Sequence, residues 1–139
     1  VTIRLLFIGK PRDPHSNALA TEYIKRAGRY ANCEMRQIDP RRTDPTTLHR
    51  GALTVFCDPS GKPFDTAKFV DLVRRSEREA RDLVFVVGGA DGLPEEWIAG
   101  AGLLLSLTPL TLPHEFARAI LAEQIYRALT TLRGHPYPR

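Results

Sequence analysis

The residues Gly102–Arg127, GLLLSLTPLTLPHEFARAILAEQIYR, join three kinds of structure in one run. Leu103, Leu104, Leu105 and Leu107 read as a strand buried on both faces, because a continuous apolar run bounded by turn signals leaves no side for water. Pro109 and Pro113 forbid regular structure after it. From His114 to about Arg133 runs the longest helical pattern in the chain. Ala117, Leu121, Ile125, Ala128 and Leu132 form one apolar stripe, the side expected to lie on a sheet. Phe116 and Ile120 open a second stripe that continues into Glu123 and Arg127. A helix apolar on two sides, in a chain of only 139 residues, predicts a dimer built around it.

The loop between strand and helix, Thr108-Pro109-Leu110-Thr111-Leu112-Pro113, carries few functional side chains. A ligand there is held by the loop's own N–H and C=O groups and by apolar contact. That suits a flat heteroaromatic ring better than a phosphate.

Working back from this segment, strands alternate with helices. Thr2 to Gly9 reads as a buried first strand, followed by a Lys10–Pro14 loop and a helix from about Ala18 to Arg26. Ser16 or Asn17 is the expected cap of that helix, Leu19, Tyr23 and Ile24 its inward face, and Gly28 its end. Cys33–Ile38 reads as a second strand. Asp39–Arg50, polar and holding Arg41-Arg42, is a connection with at most a short helix near Thr46–Arg50. Leu53–Cys57 is a third strand, Asp58–Lys62 a turn, and Thr66–Ala80 a helix with Phe69, Leu72 and Val73 inward. Leu83–Val87 is a fourth strand, ending in Gly88-Gly89-Ala90-Asp91-Gly92. Pro94 then starts a short helix through Trp97 and Ile98. This alternation predicts an α/β fold, one domain over residues 1–139, with a mostly parallel sheet and helices on both faces.

The composition, 42% hydrophobic residues, suits one domain with a real core. A net charge of +4 favours an anionic partner. Cys33 and Cys57 are the only thiols; without a CxxC or a Cys/His zinc spacing they read as reduced, buried residues of a cytoplasmic protein. No metal site and no membrane span are expected. The opening VTIRLLFIGK is too short for a signal peptide, and a start at Val1 reads as a trimmed terminus.

In open α/β sheets ligands bind beyond the carboxyl ends of the strands. Three such ends are unusual here: Cys57–Lys62, Gly88–Gly92 and Thr108–Pro113. Gly88, Gly89 and Gly92 admit close backbone approach, as a nucleotide-like cofactor needs and as an ordinary turn also allows. Their spacing is neither the dinucleotide fingerprint nor a P-loop, which disfavours NAD and ATP. Cys57, at the end of an apolar strand, reads as core rather than nucleophile. His114 either satisfies backbone groups at the helix start or binds ligand. Glu123 and Arg127 have the i,i+4 order of a surface ion pair. Both also lie on the second, partly apolar stripe, and the tail beyond them, Gly134-His135-Pro136-Tyr137-Pro138-Arg139, is rich in groups able to stack on or hydrogen-bond a base.

The combination of VVGGADGL, LSLTPLTLPH, EFARAILAEQIYRA and a terminal HPY resembles the RlmH family, the pseudouridine N3-methyltransferases of the large ribosomal subunit among the SPOUT, or trefoil-knot, methyltransferases. The resemblance covers nearly the whole chain and includes Gly9-Lys10 and GKPFDT at Gly61–Thr66. It implies a C-terminal α/β knot, a homodimer, and S-adenosyl-L-methionine held at Phe56 or Cys57, at Gly88, Gly89 and Gly92, and at Thr108, Pro109, Leu110, Thr111, Leu112, Pro113 and His114. It implies 23S ribosomal RNA, free or in an assembled ribosome, as substrate. The catalytic candidates are Arg127, His135, Glu123 and Tyr137. The sequence departs from the family in a short segment between the second and third strands, and in Pro138 after Tyr137 where the family commonly has His.

The implied reaction is a direct displacement at an already activated methyl group, which calls for no metal and no covalent enzyme intermediate. Arg127 would stabilise the developing anion, and His135, Glu123 and His114 are the available proton acceptors. The two departures support a rival expectation, a non-catalytic RNA- or ribosome-binding module that kept the fold. A flavodoxin-like small-molecule binder would explain the sheet but not the Thr/Pro/Leu loop.

Overall fold

The computed structural model describes residues 1–137. Its five strands are β1 (Thr2–Ile8), β2 (Asn32–Ile38), β3 (Leu53–Pro63), β4 (Leu83–Val87) and β5 (Leu103–Ser106), and its helices α1 (Pro14–Ala27), α2 (Pro45–Leu48), α3 (Thr66–Glu79), α4 (Glu95–Ala99) and α5 (His114–Leu132). The strands form one sheet in the order β2-β1-β4-β3-β5. Every pairing is parallel. β4 takes the centre because Leu-Val-Phe-Val-Val offers water nothing on either face, and all five residues are buried.

Side-chain alternation sorts the interior into two cores. Leu5, Phe7, Val55, Cys57, Phe85 and Leu105 face the layer made by α1, α3 and α5. Leu6, Phe56, Val84 and Val86 face the other way, under Leu93 and the Trp97 and Ile98 of α4. Within the first layer α5 packs against both α1 and α3. It is reached from the edge strand β5, so the β5–α5 connection must pass the β3–α3 connection. Just past β3, the Phe64 N–H donates to the Ser106 carbonyl at the end of β5 at 3.1 Å.

Several boundaries differ from the sequence expectation, each for a local reason. α1 starts at Pro14, because Asp13 is its cap: the carboxylate accepts the His15 N–H at 3.2 Å, and proline suits a first helical position. Ser16 is therefore buried inside the helix, and Leu19, expected inward, is half exposed. β3 does not stop at Cys57. Asp58–Gly61 is a bulge, after which Lys62 and Pro63 resume pairing with Leu105 and Ser106 of β5. β5 ends at Ser106, and as an edge strand it leaves Leu103 and Leu104 only partly buried instead of covered on both faces. Pro94 caps α4 from outside rather than starting it. α2 spans Pro45–Leu48, ahead of the expected Thr46–Arg50.

No helix among the described residues is long and apolar enough to cross a membrane. Nor do three or more His, Cys, Asp or Glu groups gather among them as a metal site would need.

Candidate functional site

Parallel pairing brings the carboxyl ends of all five strands to one edge. There Cys57, Val87, Ser106, Thr108, Leu110 and Leu112, with Ala117 of α5, line a cleft of about 80 Å³. Pockets that enclose a cofactor run to roughly 300–1,000 Å³, so the loops must part to admit one. They are built to do so from backbone. Among the described residues the N–H groups of Thr111 and Leu112 meet no acceptor, and only Leu110 N–H is taken, by Thr108 Oγ1 at 3.2 Å. Leu110, which lines the cleft, is 71% exposed at its mouth.

Val87 at the end of β4 lines the cleft, and the glycine turn follows directly after it. Gly92 N–H donates to the Gly89 carbonyl at 3.0 Å, closing Gly88–Gly92 on itself. A Cβ on Gly88 would lie 2.5 Å from the Gly92 carbonyl carbon, and one on Gly89 2.8 Å from the Ile8 carbonyl oxygen. Gly92 has φ +76° and open space around it. The first two glycines are needed for close packing, the third for its backbone angle.

Phe56 and Cys57, adjacent in sequence, separate at this point. Cys57 faces α5 and lines the cleft, whereas the Phe56 ring packs 6.0 Å from Trp97 on the opposite face. Cys57 is a free, buried thiol, as is Cys33 in a half-buried position. Burial raises both thiols, that of Cys33 to about 12, so neither is a thiolate near neutrality.

A second cluster lies far down α5. Glu123 Oε2 accepts from Arg127 Nη2 at 2.7 Å and from the Tyr137 hydroxyl at 2.7 Å. Arg127 Nε adds a bond to the same oxygen at 3.0 Å, and its guanidinium stands 5.5 Å from the Tyr137 ring centre. Burial, then the hydroxyl of Tyr23 and the Glu123 carboxylate, push the Tyr137 phenol above its ordinary value. Tyr137 is therefore a hydrogen-bond donor and not a base. Arg127 Nη1 has no protein partner among the described residues and remains available. His135 is exposed; its N–H donates to the Thr130 carbonyl at 2.9 Å and its Nδ1 accepts from the Tyr137 N–H at 3.2 Å.

Two residues that sequence reasoning passed over tie α5 to the β1–α1 loop. The Glu115 carboxylate accepts the N–H groups of Arg12 at 2.8 Å and Asp13 at 3.2 Å. Arg118, only 3% exposed, donates from Nη2 to the Ile8 carbonyl at 2.8 Å, and its guanidinium lies 4.3 Å over the Phe7 ring. Its Nε and Nη1 are buried without a hydrogen-bond partner, the latter 3.6 Å from Glu115 Oε1. The signal was present: Arg118 stands three and four residues before Leu121 and Ala122, on the buried stripe.

The N–H of Arg12 first, then that of Asp13 and the Arg118 charge, hold Glu115 below its ordinary 4.5. The contribution of this group to stability is complete above that value and is lost as pH falls through the lower folded one. Protection of the Arg12 and Asp13 amides against exchange, taken relative to their intrinsic rates, is therefore expected to fall as acid protonates Glu115. Protection indifferent to acid would mean that Glu115 does not hold the loop.

Residues 1–138 match the family model described as "Predicted SPOUT methyltransferase". The chain belongs to the SPOUT methyltransferases. Within them it belongs to the RlmH family: it is 58% identical over 137 residues to ribosomal RNA large subunit methyltransferase H of Solibacter usitatus, covering 99% of both chains. It is 36% identical to the protein of that name from Gemmatimonas aurantiaca, over 97% of each. Among solved structures it resembles a probable methyltransferase from Bordetella pertussis Tohama I, with a TM-score of 0.63 at 16% identity, covering 91% of this chain and 93% of that one. A likeness at that identity speaks for the fold alone.

For a SPOUT methyltransferase the division of the site is the notable result. Cys57, Gly88, Gly89, Gly92 and Thr108–Pro113 gather at one end of the sheet, as expected. His114, at the first helical position, makes no cap; Pro113 precedes it as the cap, without a side-chain bond. Glu123, Arg127 and Tyr137 gather as well, but His135 is turned to the Tyr30 ring, 5.9 Å away. Ala117, the α5 residue of the cleft, stands six residues before Glu123 and ten before Arg127, about 9 and 15 Å along the helix at 1.5 Å rise per residue. Pro138 lies outside the described residues.

Proposed function

We propose that this protein transfers the methyl group of S-adenosyl-L-methionine to N3 of a pseudouridine in the 23S RNA of the large ribosomal subunit, as a cytoplasmic homodimer. The observation that carries the reading is a backbone-built cofactor cleft in a chain that aligns end to end with relatives named ribosomal RNA large subunit methyltransferase H. The cleft residues fit the cofactor: unpaired N–H groups suit an adenine edge, and Cys57, Leu110 and Leu112 suit its faces.

The bound cofactor supplies an electrophilic methyl group on a sulfonium centre. The protein's part is placement and charge. Arg127, fixed by Glu123, presents Nη1 to the negative charge that develops on the uracil ring as its N–H proton leaves. Glu123 has Arg127 and Tyr137 on its oxygens, so its role is to orient them.

The distance between cleft and cluster supports the dimer. A groove of about 600 Å³ between α1 and α5 is lined by Leu19, Tyr23, Phe116 and Ile120 among others. Phe116 and Leu19 are each about half exposed there, an apolar surface that a second copy would cover. The partner's cluster then meets this chain's cleft.

Tritiated S-adenosylmethionine is incubated with ribosomes from cells lacking the modification, and label is mapped on the large-subunit RNA. Label on a pseudouridine is expected. Cofactor binding without any label would leave a binding module that kept the fold.

A further inference from the structure

We propose that Lys10, Arg12, Arg41 and Arg42, at the carboxyl edge of β1 and β2, form a track for the phosphate backbone of the RNA substrate, leading to the cofactor loops of the same chain. The inference rests on the RNA methyltransferase reading above and adds to it the surface that holds the substrate.

Sheet order puts these residues in a row. β1 and β2 run in register to their ends, Ile8 opposite Ile38, so Lys10–Arg12 and Arg41–Arg42 emerge side by side. On its other side β1 pairs with β4, whose end is the Gly88–Gly92 turn. With strands about 4.8 Å apart, the row starts about 10 Å from that turn and closes on it.

Three of the four charges in this row make no ion pair among the described residues. All four side chains are exposed. Among the described residues only Arg41 has a carboxylate partner, Asp39, and its side chain is still 87% exposed. On α1 and α3, Arg26 is paired with Glu22, Arg74 with Asp71 and Arg75 with Glu79, while Lys25 and Arg78, at the opposite edge, make no ion pair among the described residues and serve as the comparison. The row is also held in place. Glu115 takes the Arg12 and Asp13 N–H groups, Arg118 takes the Ile8 carbonyl, and the turn after β2 closes through Arg42 and Thr43 N–H groups on the Asp39 carbonyl at 3.0 and 2.9 Å. Unpaired cations on a fixed backbone, in line with a methyl-donor site, suit a polyanion whose bases must reach that site.

The test compares two triple variants of equal charge. One carries Lys10→Ala, Arg12→Ala and Arg42→Ala. The other carries Lys25→Ala, Arg29→Ala and Arg78→Ala, at the opposite edge. Binding of a polyuridylate oligonucleotide is measured across a salt series. Each lost phosphate contact lowers the slope of log K against log salt by about 0.7 for a single strand, so the first variant is expected to lose about 2. The control is expected to keep the original slope. In methyl transfer to ribosomes the first variant raises KM. Equal slopes for the two variants would overturn the proposal. So would an unchanged KM together with lost binding of polyglutamate, which would assign the edge to an acidic protein. If the unaltered protein transfers no methyl group, the enzyme reading fails while the salt slopes still judge the track.

Discussion

Arg127→Ala is expected to lower the rate of methyl transfer by about 100- to 1,000-fold with cofactor affinity unchanged, the range seen when one preorganised donor is removed from a developing charge. The expectation comes from the cluster on α5. Two of the three guanidinium nitrogens hold Glu123 and the third is unpartnered, which is the arrangement of a donor kept ready rather than of a surface pair. Ala117, the α5 residue of its own chain's cleft, stands ten residues or nearly three turns before Arg127; in the dimer proposed above, Arg127 serves the partner's cleft. Mixing Arg127→Ala with a cofactor-loop variant such as Gly88→Ala should then restore transfer, because one site in each mixed dimer receives an intact loop and an intact arginine. Two inactive preparations that stay inactive on mixing would place the whole reaction within one chain.

Gly88→Ala is expected to weaken S-adenosylmethionine binding about 10- to 100-fold. The added Cβ meets the carbonyl carbon of Gly92 at 2.5 Å and its Cα at 2.8 Å, both backbone atoms of a closed turn. Overpacking of this kind costs about 1–3 kcal/mol. Passed on to Val87 and the cleft it lines, that is one to two powers of ten in Kd. Gly102→Ala is the control, with nothing within 4 Å of its added carbon. Calorimetric titration separates them; equal affinities for both variants would show that the turn does not shape the site.

The central strand of this protein was legible because its run is apolar without interruption; Leu83–Val87 has the same bounds in sequence and structure. The cofactor loops were legible because prolines and glycines in one place leave little besides backbone to bind with. What could not be read depends on partners distant in the chain. Lys62 and Pro63 belong to a strand only because Leu105 and Ser106 arrive beside them. Alternation says that Phe56 and Cys57 face opposite ways, yet only the position of α5 says which one faces the cleft. Tyr137 became part of the Glu123–Arg127 cluster through a tail that folds back over α5. Asp13 and Pro14 are a different matter: the start signal of α1 was local, and the more familiar Ser16 drew the cap to the wrong place. Arg118 was likewise visible as a charge on an apolar stripe.

The last helix to be made is also the one in the middle. Leu121, Ile125 and Leu129 are fully buried, and α5 fills the space between α1 and α3. Until it is made, the part of the inner sheet face that lies between α1 and α3 lacks its cover. The growing chain must therefore hold that apolar face open, and its folding is governed by contacts between α5 and elements made long before it. An enzyme acting on the large ribosomal subunit would thus reach its working shape only once α5 has cleared the ribosome that made it.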